Sequence, residues 1–487
     1  MPRPPSAPTP FPADPREARM IDIPEWETMG LRLTHRDLRR HLLVLGETGS
    51  GKTRSILMPL MRAVLCTRQN YVRKAPSALI IDPKDGELAG FLARHVPRKR
   101  FRYVAPGARD WVVPFFLLAA DGRPPHPQRL MDALVSSSRE GLSRGLRSAG
   151  FWIDSASRLL GGFLAADHWL HERAGAEAVR TSWVTLLEGG SSTPTPLSSR
   201  ALLTPPDPGA LWDRGGYLDL LQWAASRSLG EPESLVRWAD HYARLGCPHG
   251  LLDGTARLAN VARETLGGIV LTAQNMVAPL TMAHTEGHLW TNPFLRPPAR
   301  RAIDATALMD RGVVVVYAPP EPSSGALVLA RALKRNFFRA ALRTRDRSRP
   351  FLYLADEAHR IITADPESSE STFLDRARAF GVSCVLGTQS VSSLRYALET
   401  LGGGPSESAL QVLLANIGSQ VYMRSTDPAT QTRLRSLIPS HPTDPGLPHI
   451  VDVRPVISLS TGEGYWLGST GEWGRGRVQL DVPVSTT

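Results

Sequence analysis

The stretch at residues 41–59, His-Leu-Leu-Val-Leu-Gly-Glu-Thr-Gly-Ser-Gly-Lys-Thr-Arg-Ser-Ile-Leu-Met-Pro, constrains the fold of this chain more than any other. It holds a complete G-x-x-x-x-G-K-[ST] pattern at Gly46, Glu47, Thr48, Gly49, Ser50, Gly51, Lys52 and Thr53. Leu42, Leu43, Val44 and Leu45 form an apolar run of strand length, and a helix is expected from about Thr53. Strand, glycine loop and helix in that order make a phosphate-binding loop. Gly46, Gly49 and Gly51 accept backbone conformations that other residues resist, so successive N–H groups and the helix N-terminus can surround a triphosphate. Lys52 is then expected to reach the β- and γ-phosphates of ATP, and the Thr53 hydroxyl to ligate Mg²⁺.

A second landmark stands about 300 residues downstream. Phe351-Leu-Tyr-Leu-Ala355 is an apolar strand running into Asp356 and Glu357, the Walker B pattern. Asp356 is expected to hold Mg²⁺ through water, and Glu357 to orient and deprotonate the attacking water. Beyond it, Gly381-Val-Ser-Cys-Val-Leu-Gly-Thr-Gln389 reads as another buried strand with a polar tip. Additional-strand ATPases place such a strand between the two Walker strands, and Gln389 is the candidate sensor of the γ-phosphate. The letters Asp356-Glu357-Ala358-His359 also spell a DEAH box. DEAH helicases carry their motifs at closer spacing, with Ser-Ala-Thr after the box, whereas Gly387-Thr-Gln389 stands there in this chain. His359 is therefore read as incidental.

At 487 residues the chain can hold two or three units with cores of their own. Residues 1–20, with seven prolines in the first 15, read as a disordered leader. Residues 21–120 read as the first part of a nucleotide-binding domain. Within it, Ala78-Leu-Ile-Ile-Asp82 is a second buried strand whose charged exit brings Asp82 and Lys84 into reach of the phosphates. From residue 121 to 299 helical spacing takes over, at 128–146, 151–173, 217–244 and 255–284, with a Gly-Ser-Thr-Pro break at 189–196. Strand signals return at Val313 to Tyr317, so residues 300–487 read as the second part of the same domain. The expected fold is α/β, a RecA-like additional-strand P-loop core with a mostly helical inserted domain.

Composition narrows the setting. Cys66, Cys247 and Cys384 are odd in number and far apart, which argues against a disulfide framework or a C-x-x-C metal site and points to a reducing, cytosolic compartment. No apolar run is long enough to span a bilayer, so any membrane association is expected through a partner. The net charge of +11 and pI near 10 invite a nucleic-acid reading. Only five of the 57 basic residues are lysine, however, and that arginine excess also fits a GC-rich coding sequence.

The ensemble resembles the FtsK–HerA superfamily of pumping ATPases, and within it the TraG/TraD-like type IV coupling proteins of conjugation. The likeness is carried by Arg40-His41-Leu-Leu-Val44 leading into the phosphate loop, the Asp82-Pro-Lys-Asp-Gly-Glu-Leu88 exit and Ala355-Asp-Glu357. Ala377-Arg-Ala-Phe-Gly381, Gly387-Thr-Gln-Ser390, Asn416-Ile-Gly-Ser-Gln420 and Gly462-Glu-Gly464 extend it. The resemblance implies a ring-shaped hexamer with ATP at subunit interfaces, each site completed by a neighbour's arginine. Arg378, eleven residues before Gln389, matches that position, with Arg376 two residues away. It further implies DNA as cargo, a membrane-bound secretion channel component as docking partner, and relaxosome or effector proteins as ligands of the helical domain. Most coupling proteins begin with transmembrane helices that this chain lacks. A soluble member recruited by a membrane partner, a protein-effector receptor without DNA in its pore, and a HerA- or FtsK-like DNA-processing motor all remain open.

Overall fold

The computed structural model describes residues 15–70, 74–84, 86–105, 112–115, 126–127, 131, 149–188, 208–213, 216–222, 232–285, 287, 289–295, 303, 312–318, 325–343, 350–363, 369–402, 406–438 and 454–478. Of the leader expected over 1–20, residues 1–14 lie outside the described residues, as do most of the helix expected at 128–146 and the break at 189–196. Pro15–Ala18, expected as part of that disordered leader, instead forms a tight turn held by the Glu17–Arg39 ion pair at 2.6 Å.

The apolar runs become strands β1 (Leu42–Leu45), β2 (Ser77–Asp82), β3 (Phe101–Val104), β4 (Val113–Pro114), β5 (Leu289–Trp290), β6 (Val313–Tyr317), β7 (Phe351–Ala355), β8 (Val382–Thr388), β9 (Ser419–Met423), β10 (Glu463–Leu467) and β11 (Trp473–Arg477). Nine of them form one sheet in the order β11-β10-β9-β1-β8-β7-β2-β6-β3, while β4 and β5 pair separately. From β9 to β3 every pairing is parallel, and β10 and β11 extend the β9 edge as an antiparallel hairpin. The expected insertion of β8 between the strands of the two landmarks is what the sheet has: β8 pairs with β1 on one side and β7 on the other.

Continuous apolar strands arise because both faces of a parallel sheet are covered. Leu43, Leu45, Leu79, Ile81, Val314 and Val316 point into one core, Leu42, Val44, Ala78, Ile80, Val313 and Val315 into another. The second core is closed by the helices Met58–Leu65 and Glu87–His95 and by residues 21–38. The weak alternation from Met20 to Leu33 predicts a small hairpin; the structure has instead a loop closed by one antiparallel bridge between Met20 and Thr34. A proline turn at Pro24–Trp26 takes the place of a second strand. Thr34 then caps the helix His35–Leu38 through a capping box with Asp37.

The first core is covered by the helices Gly325–Arg343, Glu370–Ala377, Val391–Gly402 and Ser406–Ala415. The helix Gly325–Arg343 interleaves apolar residues with Arg331, Lys334, Arg335 and Arg339, yet Lys334 is fully buried. It pairs with the buried Glu370 at 2.9 Å and donates to Ile361 O at 2.7 Å, directly behind the strand leading to Asp356. Against this layer pack the helices from the middle of the chain, with Arg263–Thr285 lying on Gly325–Arg343. The helix expected over 255–284 is interrupted where Val261 turns extended, φ −81° and ψ 148°, after a tight turn at Arg257–Asn260. Among the described residues no helix is long and apolar enough to cross a membrane.

The helical region is centred on a buried carboxylate. Asp167, on the helix Ala149–Ala174, accepts from Trp183 Nε1 at 2.8 Å and from the hydroxyls of Tyr217 and Tyr242. Burial pushes its pKa from 3.8 up to about 7 in spite of these three donors. The native state thus holds the proton where the unfolded chain has released it. Stability from this group is full below about pH 4 and falls as pH rises through 7. Thermal unfolding of wild type and Asp167→Asn at pH 5 and pH 8 should therefore differ in a defined sense. The midpoint of the variant, relative to wild type, rises with pH; a constant offset contradicts the buried-proton account.

Candidate nucleotide-binding site

In a parallel sheet ligands gather where the strands end. The phosphate loop leaves β1, Asp82 ends β2, Asp356 and Glu357 follow β7, Gln389 follows β8 and Arg424 follows β9. Residues as far apart in sequence as Gly46 and Arg424 are brought to one edge because the register of neighbouring strands matches there: Leu45 pairs with Thr388, and Ala355 with Leu386.

The loop has the backbone its glycines permit, with φ of +80° at Gly49 and +98° at Gly51. A side chain at Gly46 would meet Ser50 Oγ at 2.6 Å and Met423 Cβ at 2.9 Å. The helix that follows opens as a wide turn over Lys52–Leu57 before the regular helix from Met58. Pro59 accounts for the widening, since it has no N–H to give the Ser55 carbonyl four residues back. The buried Trp26 indole supplies that donor instead, with Nε1 2.9 Å from Ser55 O.

Lys52, Thr53, Asp356 and Glu357 meet in a buried cluster. Thr53 Oγ1 donates to Asp356 Oδ2 at 2.8 Å. Lys52 Nζ donates to Gly46 O at 2.7 Å and lies 3.4 Å from Glu357 Oε1. Burial raises the pKa of Asp356, opposed by the charge of Lys52, the Thr53 hydrogen bond and the charge of Lys84. Lys84 reaches in from the β2 exit, with Nζ 3.1 Å from Thr53 Oγ1. Asp82, expected near the phosphates with it, instead caps the next helix by accepting from the backbone N–H groups of Lys84, Leu88 and Ala89. Burial pushes its pKa up to about 6 in spite of those bonds.

A phosphate group with Mg²⁺ fits this cluster. Ser50 Oγ and Glu357 Oε2 are buried without a hydrogen-bond partner, which leaves a donor and an acceptor beside the loop. Among the described residues there is no group of three or more His, Cys, Asp or Glu able to hold a metal by itself. A hydroxyl and one carboxylate are what Mg²⁺ takes from a protein when phosphates supply further ligands.

The open flank of the loop is walled by Arg424, Thr461 and Gly462, none of which was expected there. Arg424 Nε pairs with Glu47 Oε1 at 2.7 Å, and Arg424 O accepts from Glu47 N at 2.9 Å. Thr461 Oγ1 donates to Gly49 O at 3.2 Å, and Gly462 N donates to Ser50 O at 3.0 Å. Arg424 could have been found as the first charged residue after the strand at 419–423; Gly462 entered only through the resemblance, with no sign that it meets the loop.

Gln389 is half-buried just past the tip of β8. Arg378 is not brought into the cluster. It opens the turn before β8, so the whole strand, about 23 Å at 3.3 Å per residue, stands between it and Gln389. Arg376 and Arg378 are both exposed. The charge of Arg378 acts instead on His41, at the other end of β1 from the loop. His41 is buried at φ +69°, accepts at Nδ1 from Cys384 N and donates from Nε2 to Leu374 O, both at 3.1 Å. Burial lowers its pKa to about 4, so the ring is neutral. His359, read as incidental, lies in the cluster with Nδ1 3.7 Å from Glu357 Oε2. Burial lowers its pKa, opposed by the charge of Glu357.

Adding a methyl at Gly51 tests the loop geometry. It would sit 3.0 Å from Gly462 N at a φ that L-residues avoid. Gly51→Ala should cost about 1–2 kcal/mol in urea unfolding; an unchanged midpoint contradicts the conformation described.

No protein-family model matches the chain, nor does any curated protein sequence. Solved structures do. The plasmid coupling protein TrwB in complex with the non-hydrolysable GTP analogue GDPNP aligns with a TM-score of 0.57 at 16% identity, over 94% of this chain and 90% of TrwB. TrwB in complex with ADP and Mg²⁺ gives 0.57 at 14% identity over 94% and 89%. TrwB with the ATP analogue ADPNP gives 0.56 at 16% identity over 94% and 90%. At these identities the likeness is one of fold: this chain is built like the bacterial conjugative coupling protein TrwB.

Proposed function

We propose that this protein is an ATP-driven DNA translocase, a coupling ATPase that delivers DNA to a type IV secretion or conjugation channel. The observation that carries the proposal is the meeting of Lys52, Thr53, Asp356 and Glu357 at the carboxyl edge of a TrwB-like sheet. TrwB itself has been captured with ADP and Mg²⁺ and with a non-hydrolysable ATP analogue, which supports assigning ATP and Mg²⁺ to this chain.

In this reading the loop from Gly46 to Thr53 wraps the phosphates with its backbone N–H groups, and Lys52 moves from Gly46 O onto them. Thr53 and Asp356 would hold Mg²⁺, which would supply neutralisation of charge on the phosphates. Glu357 orients water and takes its proton at Oε2, the buried oxygen that no donor claims. Gln389 contacts the γ-phosphate from the tip of β8. Arg378 stands too far from its own loop to take part there, which supports its acting as an arginine finger on a neighbouring copy in a homo-hexameric ring. The helical region between β4 and β5 is the proposed receptor for relaxosome or effector proteins, and a membrane-bound channel component the proposed dock.

ATP turnover by the purified protein, with and without single- and double-stranded DNA at low salt, tests this. Glu357→Gln and Lys52→Ala should each lower kcat at least a hundredfold, with the Gln variant still binding ATP. DNA should raise the wild-type rate several-fold, and the stimulation should fade with added salt as phosphate contacts weaken. A rate indifferent to DNA at low salt rejects the DNA pump in favour of a protein cargo.

A further inference from the structure

We infer that His359 is a positioning residue that ties the water-activating Glu357 to the strand tip carrying Gln389; the inference rests on the ATPase reading above.

The local backbone puts the imidazole there. Glu357 adopts φ 51° and ψ 48°, a left-handed conformation unusual for a side chain of its size, and begins the tight turn Ala358–Arg360. Arg360 N closes that turn on Glu357 O at 2.9 Å. The reversal folds His359 back over the carboxylate instead of letting the chain run on past β7. Because β7 and β8 are parallel neighbours with Ala355 beside Leu386, the tip of β8 lies within reach as well. His359 Nδ1 is 3.2 Å from Thr388 Oγ1 and 3.7 Å from Glu357 Oε2.

A neutral imidazole with its proton on Nδ1 has one hydrogen there and, in this setting, two acceptors. Here it lies within hydrogen-bond length of Thr388, the last residue of β8, while Glu357 Oε2 has no partner. A movement of about 0.7 Å brings the same N–H to Glu357 at ordinary hydrogen-bond length. The two contacts compete. When the imidazole bonds to Glu357, the carboxylate is held in one orientation and Thr388 is released. When it bonds to Thr388, Oε2 of Glu357 is left without a donor and Lys52 alone holds the carboxylate, through Oε1. A shift of Gln389 at the tip of β8 moves Thr388 with it, so the orientation of the glutamate follows the sensor strand. A histidine that merely filled space would make neither contact a condition for the other.

The test is steady-state ATP turnover and ADPNP affinity for His359→Leu, His359→Asn, Thr388→Val and the double variant His359→Leu/Thr388→Val. His359→Leu and Thr388→Val should each lower kcat about tenfold, the range for residues that orient a reacting group, with ADPNP affinity unchanged within twofold. His359→Asn keeps a donor and should recover most of the loss. The double variant should be no slower than the slower single one, since both break one linkage. Multiplying losses, or affinity falling in step with kcat, overturns the inference. A direct readout separates this outcome from failure of the ATPase reading. In ¹⁵N-histidine NMR spectra of the full chain, the His359 signal, assigned by its loss in His359→Asn, should shift in both Thr388→Val and Glu357→Gln. No shift in either overturns the linkage whether or not the protein hydrolyses ATP. Shifts without any wild-type turnover leave the linkage standing and reject the ATPase.

Discussion

The structure depends on β1 being covered in every direction. Its four residues are fully buried between β9 and β8, with a packed core above and another below. A strand so enclosed can present polar groups only at its two ends. One end is the phosphate loop. The other is His41, whose two ring nitrogens hold the backbone of β8 and of the helix Glu370–Ala377. Everything polar in the candidate site inherits its position from that central strand, because the neighbours register against it.

Buried charge is the second ordering principle. Lys52, Asp356 and Glu357 sit almost out of water, and their partial compensation by one another leaves Asp356 raised in pKa. Behind the strand that delivers them, Lys334 and Glu370 form a pair that is equally dry but has its donors and acceptors filled, by Ile361 O, Thr363 N and Tyr353 OH. Such a pair contributes little net stability compared with an apolar replacement, since desolvation offsets the attraction. Its geometric effect is to fix the segment after Glu357 against two helices, one of which runs directly into Arg378.

Much of this was legible in the sequence. Continuous apolar runs ending in glycine or carboxylate mark strands buried on both faces, and the additional-strand pattern places the Gln389 strand between the two landmark strands, as β8 lies between β1 and β7. The side-chain partners were less legible. Asp82 and Lys84 are two residues apart, yet one caps a helix and the other reaches Thr53, a division set by the turn between them. His359 looked like an accident of spelling because nothing in a linear reading shows that Glu357 reverses the chain. Nothing in a linear reading shows that Lys334 is buried, because its partner Glu370 lies 36 residues on, in a different helix. Periodicity reports which side of an element faces a core; it does not report what a charged group meets inside one.

The hydrogen bonds from Thr461 and Gly462 to the phosphate loop span more than 400 residues of sequence. Contacts of that range close late, because the entropy of so long a loop must be overcome before they reward it. On the ribosome, the loop near residue 50 emerges long before the residues that steady it. A nascent chain thus carries a glycine-rich loop without its flanking wall until the β10–β11 hairpin docks on β9, so the loop is made more than 400 residues before the groups that steady it.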